Sequence, residues 1–163
     1  MEIRPVNAQD HDAVYRVESA AFARADEAIL VQTIRKRGEA LVELVAEDAG
    51  EVVGHVLVSP IVLVDGLFTA AVAPLAVLPT SQGKGVGSAL MRAMIALCRG
   101  MGIEALFLLG NPDYYQRFGF VASPIGNEYG ATDAFMHLEL TPGVLSGING
   151  TARYVEAFSE NEV

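Results

Sequence analysis

Glu2-Ile3-Arg4-Pro5-Val6 alternates charged and apolar residues, the period of a half-buried strand, and Asn7 follows as a residue whose side-chain oxygen can cap a helix start. The period then changes. Val14, Val17, Ala21 and Phe22, and after them Ala28, Leu30, Val31 and Ile34, recur at helical spacing and predict two amphipathic helices, the second ending near Gly38. Arg35, Lys36 and Arg37 fall in its last turn, where solvated cations complement the helix dipole. Residues 41–47 and 51–58, rich in β-branched side chains and joined by Asp48-Ala49-Gly50, predict an antiparallel hairpin. Residues 61–64 continue its second strand past Ser59-Pro60, where proline predicts a bulge or a break. After a tight turn at Asp65-Gly66, residues 67–78 return as a long strand containing Pro74, so this strand cannot pair normally throughout.

Val86, Ala89, Leu90, Ala93, Leu97 and Met101 keep the spacing of a core-facing helix, closed by Gly100 and Gly102. Residues 103–109 form the next strand. Gly110-Asn111-Pro112 breaks it ahead of a short helix bearing Tyr114 and Tyr115, which stops at Gly119. Residues 120–121 and 135–140 are the last expected strands, joined by a loop with Pro124, Gly126 and Gly130. Mixed strands and helices in this order predict an α/β (α+β) fold.

At 163 residues the chain suits one domain, 1–163, with a sizeable core, and 52% hydrophobic with 19% charged residues is far from the composition of disorder. Eleven basic against twenty acidic residues leave a formal charge of −9, which repels nucleic-acid phosphates and favours a cationic partner, although surplus carboxylates also simply maintain solubility. The lone Cys98, between Met94, Ile95 and Met101, is expected to be a packed thiol; it cannot form an internal disulfide. No apolar signal core opens the sequence, and Asp65, Lys84 and Arg92 interrupt its most apolar region, so a cytoplasmic protein with no membrane segment is expected. Cys, His and Asp residues lack metal-ligand spacing, so no metal is expected, and no Gly-x-Ser-x-Gly nucleophile elbow occurs.

The most informative stretch is residues 75–90, a buried strand passing through a glycine-rich turn into a helix. Gly83, Gly85 and Gly87 let the backbone approach a ligand closely, and the unpaired amides of the following helix turn attract a diphosphate, with Lys84 adding a formal charge. A nucleotide-triphosphatase loop is excluded because Gly85, not a hydroxyl residue, follows Lys84. A dinucleotide fold fits poorly because the glycines alternate and the unit lies mid-chain.

The spacing Gln82-x-x-Gly85-x-Gly87 in this setting resembles the GNAT superfamily of acyl-CoA-dependent N-acyltransferases, and Tyr114-Tyr115-Gln116-Arg117-Phe118-Gly119-Phe120 resembles the family's Tyr-x-x-x-Gly-Phe segment. The resemblance covers residues 1–140, while 141–163 match no motif. It implies a mixed central sheet of six to seven strands flanked by about four helices, with the fourth and fifth strands splayed to admit a pantetheine arm. It further implies acetyl-CoA as co-substrate, its pyrophosphate on Gln82, Gly83, Lys84, Gly85, Val86, Gly87 and Ser88 and its arm along Leu75, Ala76 and Val77. Phe118 is assigned to the same coenzyme, and Asn111 either contacts the pantetheine amides or only forms the turn before Pro112.

Four residues before Gly119, Tyr115 is in register to protonate the departing thiolate, since a phenol stays protonated at neutral pH. An amide near Leu75 would face the oxyanion. The implied activity is direct transfer of acetyl from acetyl-CoA to a primary amine of a small molecule or peptide in a ternary complex. The alternative is a regulatory module that binds acyl-CoA without turnover. Glu18, Glu47, Glu51, His55 or a water chain remain open as the base. The acceptor pocket is expected from residues 8–37 and 122–133, with Arg24, Asp26, Glu27, Glu128, Tyr129 and Asp133 as candidate walls. Val144, Leu145 and Ile148 suit either a homodimer interface or a buried tail.

Overall fold

The hairpin expected near residue 50 sits at the centre of a larger sheet in the computed structural model, which describes residues 1–130 and 133–161. In chain order the elements are β1 (Glu2–Pro5), α1 (His11–Phe22), α2 (Asp26–Lys36), β2 (Val42–Asp48), β3 (Glu51–Val62), β4 (Thr69–Val77) and α3 (Val86–Gly100). They continue with β5 (Ala105–Leu109), α4 (Pro112–Tyr115), β6 (Val121–Ala122), β7 (Gly126–Asn127), β8 (Phe135–Glu139), β9 (Thr151–Tyr154) and α5 (Ala157–Glu160). The strands follow the order β1-β2-β3-β4-β5-β8-β6, with β9 paired to the far end of β3 and β7 beside β9. Only β4–β5 and β7–β9 are parallel.

Alternation along the central strands divides the core in two. Leu57 points to one face with Val14, Val17, Leu30, Val31 and Ile34 of α1 and α2, while its neighbours Val56 and Val58 point to the other with Leu90, Met91, Met94 and Cys98 of α3. Each fully buried aliphatic side chain of this kind contributes about 1.5–3 kcal/mol relative to exposure. Gly54 is where α3 comes closest to β3: a Cβ there would lie 2.8 Å from Val86 Cγ1 and 2.9 Å from Leu90 Cδ1. Asn7 caps the turn before α1 by accepting from the Gln9 amide, and Asp10 completes the capping box while holding Arg4 at 2.7 and 2.9 Å.

Three sequence expectations need correction. Pro60 neither breaks nor bulges β3, which stays in register through Pro60↔Ala70. Leu41 N–H donates to Val58 O, so two residues on Pro60 faces the same side, past the end of β2, where its missing N–H costs no ladder bond. On α3 the inward face runs through Leu90, Met94 and Cys98, leaving Leu97 and Met101 each 45% exposed toward the C-terminal end. Arg35 is not a solvated helix-end charge, because its guanidinium turns inward to Glu43.

The irregularity expected at Pro74 is present. Val56 pairs with Leu75 and Val58 with Val72, so Ala73 and Pro74 together oppose Leu57 as a bulge. Parallel pairing of β4 with β5 covers only Thr69–Ala71 against Ala105–Phe107. Beyond it β5 stays bonded to β8 as far as Leu109↔Phe135, while β4 follows β3 away to Val77, and the two strands part. The C-terminal residues are core material. Leu145, Tyr154, Ala157 and Phe158 are all buried against the α1–α2 face.

Candidate active site

The parted edge of β4 lies between two cavities, one built from main chain and one from side chains. Leu78 N–H donates to Val53 O, so by strand alternation Ala76 also faces β3 while Leu75 and Val77 direct their amides and carbonyls into the cleft. The Gln82 side chain closes the end of this edge, donating through Nε2 to Val77 O at 3.1 Å. Gly83 and Gly85 then take φ of +76° and +84°, conformations that L side chains rarely adopt, and aim the chain into α3. No side chain caps α3 at Gly85, so the first-turn amides at Val86, Gly87 and Ser88 are offered to the space in front of them.

That space is a cavity of about 370 Å³ lined by the 81–88 turn without Lys84, together with Val77, Tyr114 and Arg117. Lys84 is exposed. The formal charge lining the cavity is Arg117, whose Nε donates to Tyr114 O at 2.8 Å and whose guanidinium lies 4.4 Å over the Tyr114 ring. Gly87 lets the Tyr114 ring come close, since a Cβ there would stand 2.9 Å from the Tyr114 hydroxyl and displace it. Main-chain donors, a helix N-terminus and a fixed arginine suit a diphosphate.

The adjacent tyrosine faces the other way. Tyr115 lines a second cavity of about 300 Å³ together with Phe22, Glu27, Leu30, the Val72–Leu75 stretch, Leu109, Tyr129, Tyr154 and Phe158. Its ring packs edge-on against Tyr114 and Phe120, and Gly110 makes room for it, because a Cβ there would fall 2.4 Å from Cε2. Burial, with a smaller contribution from Tyr114, pushes its hydroxyl up to about 12. Asn111 accepts from the Asp113 amide as the cap of α4, and Phe118 packs against the α3 side of the core under Arg92; neither lines either of these two cavities.

Among the candidate acceptor walls, Glu27 and Tyr129 line the second cavity. Arg24 instead clasps both Glu27 oxygens and pairs with Asp26 at 3.7 Å, Glu128 accepts from the Tyr154 amide, and Asp133 stays exposed. The far wall, Tyr154 and Phe158, comes from the segment that carries no motif. Only the apolar, aromatic character of those residues could have signalled it.

None of the side chains open as a base, Glu18, Glu47, Glu51 and His55, lines either cavity. His55 is fully buried, with Nδ1 2.6 Å from Glu18 and Nε2 2.8 Å from Glu43, and Glu43 in turn holds Arg35. Burial alone would lower the imidazole's pKa, but the two carboxylates outweigh it and raise it. Burial likewise opposes ionisation of Glu43, yet His55 and Arg35 bring its carboxyl down to about 2. Glu18 moves upward, because burial outweighs its bond to His55. Glu18, Arg35, Glu43 and His55 therefore tie α1 and α2 to β2 and β3. Glu47 pairs with Arg4, and Glu51 stands exposed at the hairpin end. Cys98 is buried, its thiol pushed up to about 12 by desolvation, as expected of a packing residue. Among the described residues no helix is long and apolar enough to cross a membrane, and no group of His, Cys, Asp and Glu could hold a metal ion.

The acetyltransferase (GNAT) family matches this chain over residues 8–120. The chain is 33% identical over 153 residues to the uncharacterized N-acetyltransferase YjhQ of Escherichia coli K12, covering 85% of this chain and 84% of that protein. It is 32% identical over 161 residues to the uncharacterized N-acetyltransferase YhbS of the same strain, covering 95% of each. The crystal structure of Escherichia coli YhbS in complex with CoA superposes with a TM-score of 0.91 at 30% identity, over 97% of this chain and 91% of that one. A GNAT family acetyltransferase from Brucella melitensis in complex with acetyl-CoA gives a TM-score of 0.82 at 33% identity, over 96% and 97%. An open mixed sheet, a parted β4 edge and a glycine-turned helix start thus accompany a family match over more than half the chain, and the protein belongs to the GNAT family of acetyltransferases.

Proposed function

We propose that the protein transfers an acetyl group from acetyl-CoA directly to an amine, both bound at once on either side of the β4 edge. One observation carries this reading: Leu75 lines the side-chain cavity and Val77 the main-chain cavity, so a short run of strand that is paired to β3 but not to β5 connects them. The coenzyme complexes of two close structural neighbours support the choice of donor. The residues present fit that molecule. The amides of 83–88 and Arg117 suit its diphosphate, and the amide and carbonyl of Leu75 with the amide of Val77 suit an amide-containing arm, the Val77 carbonyl being held by Gln82. Acetyl-CoA supplies a thioester whose acyl carbon is open to attack by an amine.

The chain's own contributions are alignment, charge stabilisation and a proton. The bulge at Ala73-Pro74 turns Leu75 into the cleft, where its amide can face negative charge on the acyl oxygen. Tyr115, held un-ionised by burial, retains a proton for the sulfur as the carbon–sulfur bond breaks. The acceptor nitrogen passes a proton to water as its bond to the acyl carbon forms and the carbon–sulfur bond breaks. No nucleophilic side chain intervenes, since Cys98 is sealed in the α3 face of the core.

The test is release of free thiol from acetyl-CoA, followed by a sulfhydryl reagent, with and without a panel of primary amines. Amine-dependent release saturating in both substrates is expected. Tight coenzyme binding with no amine-dependent release would instead support the non-catalytic, acyl-CoA-binding module.

A further inference from the structure

We propose that the acceptor is an arylalkylamine, a primary amine carried by a short chain on a single aromatic ring; this rests on the transfer reading above. The acceptor cavity, at about 300 Å³, lies at the small end of ligand sites. Its walls include five aromatic rings, Phe22, Tyr115, Tyr129, Tyr154 and Phe158. Three of them form a continuous edge-to-face wall, with Tyr129 5.5 Å from Tyr154 and Tyr154 4.9 Å from Phe158. Such a wall favours a flat apolar body presented at an angle to each ring.

Among the described lining residues Glu27 is the one charged side chain, and it is buried. Arg24 donates one bond to each of its oxygens, which leaves a lone pair on each for an ammonium. The surrounding rings add cation–π attraction for the same group. A second charge on the ligand would find no oppositely charged partner among the described lining residues. Polyamines, aminoglycosides and acidic amines are disfavoured on that ground, and a protein chain is disfavoured by the small volume. Two rings of that wall, Tyr154 and Phe158, come from the C-terminal segment, so residues 151–158 contribute to specificity without lining the coenzyme cavity.

The decisive experiment measures kcat/KM by thiol release with 2-phenylethylamine, spermidine, kanamycin and an alanine-initiated peptide. Calorimetric binding of the same amines to the CoA-loaded protein runs alongside. At least about tenfold preference for 2-phenylethylamine in both assays is expected. Glu27→Gln should raise its KM about tenfold, with kcat and acetyl-CoA affinity changing less than about threefold. Should that variant unfold, Phe22→Ala, at a half-exposed wall position, is expected to give the same split. Preference for spermidine, kanamycin or the peptide, or an unchanged KM in both variants, overturns the assignment of the acceptor. Absence of coenzyme binding overturns the transfer reading itself, and is seen separately in calorimetry with acetyl-CoA alone.

Discussion

The two cavities flanking β4 are built by opposite means. The side proposed for the coenzyme is mostly main chain from one stretch, the 81–88 turn without Lys84, with Val77 beside it and Tyr114 and Arg117 laid over it. The acceptor side is side chains from α1, α2, β4, β5, α4 and the C-terminal segment. A surface of backbone amides depends on glycines and a helix start, which hardly vary in kind. A surface of side chains from many elements can change one wall at a time. The difference explains how one family scaffold can keep its donor while the acceptor changes, and it sets where substitutions should act.

The sharpest division is expected at Tyr115, the proposed acid, which lines the second cavity. Tyr115→Phe should lower kcat by about 10²–10⁴-fold with little change in acetyl-CoA affinity, read by steady-state kinetics and calorimetry. Because its pKa stands near 12, the wild-type rate should show no loss from ionisation of this acid up to about pH 9. Equal losses of kcat and coenzyme affinity would show that the two cavities do not divide the work.

Next in size is the buried set that fixes the α1–α2 wall. Glu43→Leu removes the partner of both Arg35 and His55 and should cost about 3–5 kcal/mol in denaturant unfolding. The pH dependence has a definite sign. His55 and Glu18 are raised in the folded state, so their contribution is complete below their unfolded values and is lost as pH rises through the folded ones. Glu43 is lowered to about 2, so its contribution is complete above its unfolded value of 4.5 and is lost as pH falls toward 2. Glu43 gains its contribution up to about pH 4.5, Glu18 begins to lose its own above that value and His55 above about 6.5, so the melting temperature should be highest near pH 4.5 and decline above it. His55→Gln should flatten the alkaline decline.

On the coenzyme side, Arg117→Ala should weaken acetyl-CoA about tenfold and leave the acceptor KM nearly unchanged, while Lys84→Ala should change affinity less than about twofold. The reverse order would return the phosphate contact to Lys84. The smallest effect is expected at Tyr154, whose hydroxyl is buried without a partner. Tyr154→Phe removes an unsatisfied group and should shift stability by no more than about 0.5 kcal/mol, in the stabilising direction.

The same division decides what could be read from sequence. Gln82 through Gly87 declared itself because glycine spacing, a strand and a helix start are all local, and the Tyr115-to-Gly119 spacing is local too. Pro74 announced an irregular β4, since a missing N–H has consequences wherever a strand carries it. Pro60 misled for the same reason, because whether a lost donor matters depends on where β2 ends. Glu18, Arg35, Glu43 and His55 stand on four elements, and no period links them. Arg35 read alone is an ordinary helix-end cation; only the folded sheet turns it inward to Glu43. Tyr154 and Phe158 were invisible as a wall because their partners, Tyr129 and Glu27, lie in other parts of the chain.

The central claim is that β4, parted from β5, holds the donor with its free main-chain groups. Amide hydrogen exchange with and without acetyl-CoA tests it most directly. Added protection at Leu75, Val77 and 83–88, with none at Ala76, which already faces β3, is the predicted result. Protection confined to other segments, or none anywhere at saturating coenzyme, would contradict it.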